Sequence, residues 1–84
     1  MNIDDYRNRI NEIDSQLAKL INDRMNVSSE IGAYKKANNL PVYDASREAK
    51  VIEKAQSYAS DEFNKEALAR VYHLIMDISK EKQV

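Results

Sequence analysis

The sequence predicts an all-α fold in which one long helix is followed by two shorter ones. The 84-residue chain has one glycine and one proline, which leaves few turn signals for a many-stranded β-fold. Apolar residues recur every three or four positions along most of the chain, as they do on one face of a helix. Residues 1–84 are expected to form a single domain, because no linker or internal repeat divides them.

The long first helix is predicted from about Asp4 to Asn38, because a heptad pattern runs through it without a slip. Pro41 then stops it, since proline has no N–H and restricts the residue before it. Nine of the ten heptad positions are apolar, and these nine are called the apolar seam below. In order the ten positions are Ile3, Tyr6, Ile10, Ile13, Leu17, Leu20, Arg24, Val27, Ile31 and Tyr34.

Two shorter helices are predicted after Pro41. Asp44 is a good N-cap for the second helix, whose apolar face includes Val51, Ile52 and Ala55. Ser60 and Asp61 interrupt the pattern before the third helix. The apolar residues of the third helix again have helical spacing, and they are Phe63, Ala67, Leu68, Val71, Tyr72, Ile75 and Ile78.

The first helix is too long for a domain of this size. About 35 residues make a rod of roughly 50 Å, whereas a compact domain of 84 residues is about 30 Å across. Two shorter helices can cover only part of the apolar seam, so the remainder needs a partner. The simplest partner is a second copy of the chain, which predicts a helical homodimer; an antiparallel arrangement of the two chains is expected.

Composition excludes several functional classes. Without cysteine the chain can form neither a disulfide framework nor a cysteine-ligated metal site. Its 13 basic and 14 acidic residues are interleaved, which argues against nucleic-acid binding. No apolar stretch is long enough to span a membrane, and the N-terminus lacks the apolar core of a signal peptide. We therefore expect a soluble, cytoplasmic protein.

Arg24 occupies the one heptad position of the first helix that is not apolar. A buried arginine is costly unless an anion or acceptor meets it, so Arg24 either sets the helix register, extends to the edge of the interface or binds an anion. Lys35 lies eleven residues later, almost three turns, on the same face. Arg7 lies roughly 25 Å before Arg24 along the helix. It can join the same site only from an antiparallel partner chain.

Further polar residues follow on the shorter helices. Asp44, Arg47 and Glu48 share a face, which fits either an N-cap with a first-turn ion pair or a binding surface. Ser79 and Gln83 are four residues apart, and taken alone they fit a solvated face.

Gly32 lies inside the long helix, where glycine costs roughly 1 kcal/mol relative to alanine. It permits close approach of either another helix or a ligand.

Together these positions resemble the all-helical (AroQ) class of chorismate mutase, in its stand-alone, monofunctional type. The resemblance covers essentially the whole chain and rests on the order and spacing of short motifs across three predicted helices. The motifs are Tyr6-Arg7-Asn8-Arg9-Ile10, Ile13-Asp14, Leu20-Ile21-Asn22-Asp23-Arg24-Met25, Ile31-Gly32-Ala33-Tyr34-Lys35-Lys36, Pro41-Val42-Tyr43-Asp44, Arg47-Glu48, Leu74-Ile75-Met76-Asp77-Ile78-Ser79 and Gln83.

The resemblance implies an intertwined homodimer that needs no cofactor and no metal. It implies an isomerase that converts chorismate to prephenate on the route to phenylalanine and tyrosine. Arg24 and the Arg7 of the neighbouring chain are expected to bind the two substrate carboxylates, with help from Arg47. The backbone near Asp44 and the side chain of Ser79 are expected to make further substrate contacts.

Three residues are expected to act in catalysis by the same resemblance. Lys35 and Gln83 would hydrogen-bond the ether oxygen of the breaking bond, and Glu48 would hold the ring hydroxyl.

The sequence leaves two alternative functions open. An isochorismate pyruvate lyase has the same helical fold and a similar cationic pocket, although the Asp44, Arg47, Glu48 and Gln83 pattern favours the mutase. A non-catalytic helical dimerisation or regulatory module would explain the heptads but not Arg24, Lys35 and Glu48.

Overall fold

A computed structural model describes residues 2–84 of the chain. It contains three helices: α1 at Ile3–Ala37, α2 at Ala45–Gln56 and α3 at Glu62–Gln83. No strand is present between residues 2 and 84. The all-α prediction of one long and two shorter helices is confirmed.

Side-chain caps fix where the helices begin. Asn2 and Asp5 form a reciprocal capping box at the start of α1. Asp44 Oδ1 accepts from the backbone N–H of Arg47 at 3.0 Å, which confirms the predicted cap of α2. Asp61 Oδ1 accepts from the backbone N–H of Asn64 at 2.8 Å, so the predicted break falls at the cap of α3.

The first helix ends shortly before Pro41, as predicted. Asn38 is its C-cap, and Asn39 follows in the left-handed region with φ 55°. The backbone N–H of Leu40 donates to the carbonyl oxygen of Lys35 at 2.8 Å, which satisfies one of the free carbonyls at the helix end. This turn directs residues 40–44 back across the end of α1.

Helix α3 packs against both α1 and α2. The buried apolar side chains are Ala55 on α2 with Ile75 and Met76 on α3. The molecule measures 55 × 25 × 14 Å, so its longest dimension is close to the length expected for the first helix. None of the three helices combines the length and the apolar run that crossing a bilayer requires.

The apolar seam stays exposed in the single chain. All nine of its residues are exposed, from 41% for Ile31 to 65% for Leu20. The shorter helices therefore leave the seam largely uncovered, which agrees with the expectation that they cannot cover all of it. Helix α3 lies instead on a neighbouring face of α1 that includes Ser28 and Gly32, both of them buried.

Close backbone packing explains both that choice of face and Gly32. A Cβ atom added to Gly32 would lie 2.6 Å from the Cα of Gln83 and closer still to its carbonyl oxygen. Glycine therefore lets the last turn of α3 rest directly on α1, where any larger residue would push it away. Of the two explanations for Gly32, close helix packing is the one observed.

Candidate active site

A cavity of about 370 Å³ lies where the three helices and the segment between α1 and α2 meet. Its volume is within the range of small-molecule sites. Its polar lining consists of Arg24, Ser28, Lys35, Asp44, Arg47, Glu48, Ser79, Lys80 and Gln83, and its apolar lining consists of Val27, Ile31, Val42, Val51 and Met76.

Seven of the eight predicted site residues line this cavity, and the exception is Arg7. Arg7 is exposed, and its nearest ion-pair partner is Asp4, one turn away at 3.9 Å. Arg24, by contrast, is half-buried at the cavity wall. The arrangement therefore joins residues that lie up to 59 positions apart, from Arg24 to Gln83, but leaves Arg7 outside.

Lys35 connects the end of α1 to the other two walls of the cavity. Its Nζ donates to the carbonyl oxygen of Val42 and to Gln83 Oε1, both at 2.9 Å. The first bond holds residues 40–44 against α1, and the second holds the end of α3. An ammonium group has three hydrogens, so one remains for a ligand.

Ser79 and Gln83 do not lie on a solvated face, so the expectation for the pair taken alone is wrong. Ser79 is 7% exposed, and its Oγ lies 2.5 Å from Oγ of Ser28, which is 3% exposed. Gln83 is half-buried, and its Nε2 donates to Ser79 Oγ at 3.4 Å. Nothing in the apolar pattern marks Ser28, because a small polar residue is equally common on exposed faces.

Glu48 pairs across the cavity rather than within the first turn of α2. Its Oε2 lies 3.2 Å from Lys80 Nζ, which also lies 3.6 Å from Asp77 and 4.9 Å from the centre of the Tyr43 ring. Hydrogen bonding to Glu48 raises the pKa of Lys80 above its ordinary value. The predicted N-cap at Asp44 is confirmed. Among residues 2–84, however, the structure has no ion pair within the first turn of α2.

Sequence reasoning missed Lys80 as a member of the site. A lysine near the end of an amphipathic helix has the pattern of a solvated residue, and its partner Glu48 lies 32 residues earlier. The local signal is that Asp77 lies three residues before Lys80, and this spacing indicates an ion pair within α3.

The cavity is more positive than the chain around it. Four basic and two acidic side chains line it, a formal excess of two positive charges, whereas the whole chain has a net charge of −1. Such a wall is complementary to a small dianion. Among residues 2–84, no three histidine, cysteine, aspartate or glutamate side chains are grouped closely enough to hold a metal ion.

Comparison with known proteins identifies the family. Residues 6–84 match the family model described as chorismate mutase type II. The chain belongs to this family. The family identification made from the sequence motifs is therefore confirmed.

Two individual proteins illustrate the membership. A bifunctional chorismate mutase/prephenate dehydratase from Aquifex aeolicus is 30% identical over 86 residues, which include 95% of this chain. The chain spans about a quarter, 24%, of that relative's length. A solved structure of a conserved hypothetical protein from Pyrococcus furiosus is 29% identical with a TM-score of 0.79, covering 94% of this chain and 91% of that one.

Proposed function

We propose that this chain of the type II chorismate mutase family catalyses the rearrangement of chorismate to prephenate in the cavity between its helices. The observation that carries the proposal is the lining of that cavity, where Arg24, Lys35 and Arg47 lie beside the hydrogen-bonded amide of Gln83. The reaction is intramolecular, because one C–O bond breaks as one C–C bond forms. It therefore requires a site that holds the substrate folded and supplies hydrogen-bond donors.

The cationic side chains would bind the two carboxylates of the substrate. Arg24 grips one carboxylate, Arg47 assists, and the partner's Arg7 grips the other. A guanidinium group can bind a carboxylate through two parallel hydrogen bonds, which fixes orientation as well as charge. The excess of positive charge in the cavity supports this assignment.

Lys35 and Gln83 would stabilise the transition state. Negative charge grows on the ether oxygen as the C–O bond breaks, so donors aimed at this oxygen bind the transition state more tightly than the substrate. Lys35 Nζ already donates a hydrogen bond to Gln83 Oε1 at 2.9 Å, so the two side chains are close enough to donate to the same ether oxygen. Replacing Lys35 with alanine is expected to lower kcat about a hundredfold, the usual effect of removing one such donor. Lys36→Ala, at the exposed neighbouring position, is the matched control.

Glu48 would orient the ring of the substrate. Its carboxylate accepts from the ring hydroxyl, with the backbone near Asp44 beside it. Ser79 contributes a secondary contact at the same wall. Both Glu48 and Ser79 line the cavity, which is consistent with these roles.

The proposed active form is an antiparallel, intertwined homodimer with sites shared between chains. The exposed apolar seam supports the dimer, because burying it removes large apolar side chains from water. Arg7 supports the sharing, because it lies outside the cavity of its own chain.

Product analysis tests the activity. The purified chain is incubated with chorismate and, separately, with isochorismate. Prephenate from chorismate supports the mutase, whereas salicylate and pyruvate from isochorismate would show the lyase instead. If neither substrate is consumed, the chain is a non-catalytic helical module. Arg24→Leu sharpens the test, because it should abolish turnover in an enzyme even where it stabilises the dimer.

Mixing two inactive variants tests the shared site. Arg7→Ala and Arg24→Ala chains are refolded together, so that each heterodimer regains one complete site. Activity that returns only in the mixture supports the proposal. A mixture that stays inactive, although heterodimers are demonstrated by mass spectrometry, contradicts it.

The biological setting follows from the same proposal. Prephenate formation would place the chain on the route to phenylalanine and tyrosine. That the chain acts as a stand-alone domain in the cytoplasm stays a prediction, which assay of the 84-residue chain and fractionation of cells test directly.

A further inference from the structure

A hydrogen bond between the buried hydroxyls of Ser28 and Ser79 joins α1 to α3, and the neighbouring groups determine which hydroxyl donates. Ser28 Oγ lies 3.0 Å from the carbonyl oxygen of Arg24, which can only accept a hydrogen bond. A hydroxyl has one proton, so the proton of Ser28 is committed to Arg24. At the 2.5 Å contact between the hydroxyls, Ser79 must therefore donate and Ser28 must accept.

The same count of protons determines how the side-chain amide of Gln83 is oriented. Because Ser79 has donated its one proton, its oxygen can only accept from Gln83, at 3.4 Å. At the other side of the amide, the ammonium group of Lys35 can only donate, at 2.9 Å. Both neighbours therefore require the same orientation, with Nε2 toward Ser79 and Oε1 toward Lys35. The flipped amide would face a donor with a donor and an acceptor with an acceptor.

We propose that Ser28 is a positioning residue that acts through Ser79 to fix the amide orientation of Gln83. The amide nitrogen has two hydrogens, and Ser79 occupies one of them. The other remains for a ligand in the cavity that Gln83 lines. Without the hydroxyl of Ser28, Ser79 can turn its own proton toward Gln83, so that only Lys35 still requires this amide orientation. The catalytic part of this inference rests on the proposed function.

Side-chain NMR of the ligand-free chain tests the orientation without any assay. The chain has three glutamines, and the signal of Gln83 is the side-chain amide that disappears in Gln83→Ala. Ser28→Ala should shift this signal and increase the solvent exchange of its protons about fivefold. Ser15→Ala is the matched control, because Ser15 also donates to a backbone carbonyl on α1, that of Glu12, but is exposed.

A double-mutant cycle tests the effect on catalysis. Ser28→Ala should lower kcat about fivefold, as expected for one lost hydrogen bond, and change KM less than about twofold. In the Gln83→Ala background it should cause no further loss of kcat. Equal losses in both backgrounds would show that Ser28 acts through general packing and would overturn the inference.

The two readouts separate this inference from the proposed function. An unchanged Gln83 signal in Ser28→Ala overturns the positioning role whatever the activity of the chain. Absence of prephenate from the unsubstituted chain overturns the proposed function, and the NMR result still decides the orientation of Gln83.

Discussion

The two ends of α1 differ in what surrounds them. Every residue from Asn2 to Leu20 is exposed in the single chain, although six large apolar side chains of the seam lie in this stretch. From Ile21 onward the helix contributes half-buried and buried residues to the contact with α3 and to the cavity. One end of the helix is thus packed within its own chain, and the other has no cover from it.

This difference coincides with a difference in sequence pattern between the two ends. The packed end uses small residues, Ser28 and Gly32, which allow α3 to approach the backbone. The uncovered end carries large apolar residues at heptad spacing, the pattern of a helix that packs against another chain. The heptad pattern therefore coincides with the surface that the single chain leaves exposed, and not with the face on which α3 packs.

The largest expected effect comes from a charge in the uncovered end. Ile13 is 59% exposed in the single chain, so Ile13→Glu should be harmless to a monomer. In the proposed dimer it buries an unpaired charge, which should separate the chains and remove the partner's Arg7 from each site. We expect monomers by sedimentation and more than about a hundredfold loss of kcat/KM.

Lys19→Glu is the control for that experiment, because it changes charge at an exposed position off the seam. Ile13→Glu chains that remain dimeric and active would show that the uncovered end is not the interface.

A smaller effect is expected at the packed end. Gly32→Ala would usually stabilise a helix by about 1 kcal/mol, but here the new Cβ atom meets the backbone of Gln83. The last turn of α3 must move, so we expect a lower melting temperature and about a tenfold loss of kcat, since Gln83 loses its position.

The reverse exchange at the next position, Ala33→Gly, is the control, because Ala33 is exposed and reports helix propensity alone. A more stable Gly32→Ala chain with full activity would contradict close packing at this end.

A modest effect is expected from Lys80, which joins α3 to Glu48 on α2. Lys80→Met should raise KM about threefold, because Glu48 loses the group that holds it, and Lys80→Arg should restore much of the loss. Since Glu48 raises the pKa of Lys80, the pair stabilises the fold at pH values below the unfolded pKa. This contribution is lost as pH rises through the higher folded pKa.

Thermal unfolding tests the direction of this pH dependence. The difference in melting temperature between the parent and Lys80→Met should stay constant from about pH 7 to 9 and shrink above about pH 10. Lys82→Met, at an exposed position on the same helix, should show no such change.

Local chemistry explains how much of the fold could be predicted from the sequence. The helix boundaries follow from neighbouring residues, since Asp44 caps α2 and α1 ends shortly before Pro41. The packing face at Ser28 could not be predicted, because small residues contribute nothing to an apolar periodicity. Lys80 was missed because its partner is distant in sequence.

The site shows the same division. Seven of its predicted residues meet in one cavity, because each motif fixes a register on its own helix and α3 brings the helices together. The sequence motifs supplied these positions, whereas the bonds of Lys35 to Val42 and Gln83 depend on how the chain turns after α1. The proposed place of Arg7 depends on a second chain, so neither the sequence of one helix nor the single-chain structure determines it.

The smallest expected change is that of kcat with pH. It tests the role of Gln83, which packs against the packed end of α1. Gln83 donates through an amide, which neither gains nor loses a proton near neutrality, so kcat should vary less than about twofold between pH 6 and 8. In Gln83→Glu the same position holds a carboxyl group that can donate only when protonated. The kcat of this variant should therefore fall as pH rises through the same interval, while that of the parent does not. A steep fall in the parent itself would mean that a titrating group, rather than the amide held between Lys35 and Ser79, provides the donor.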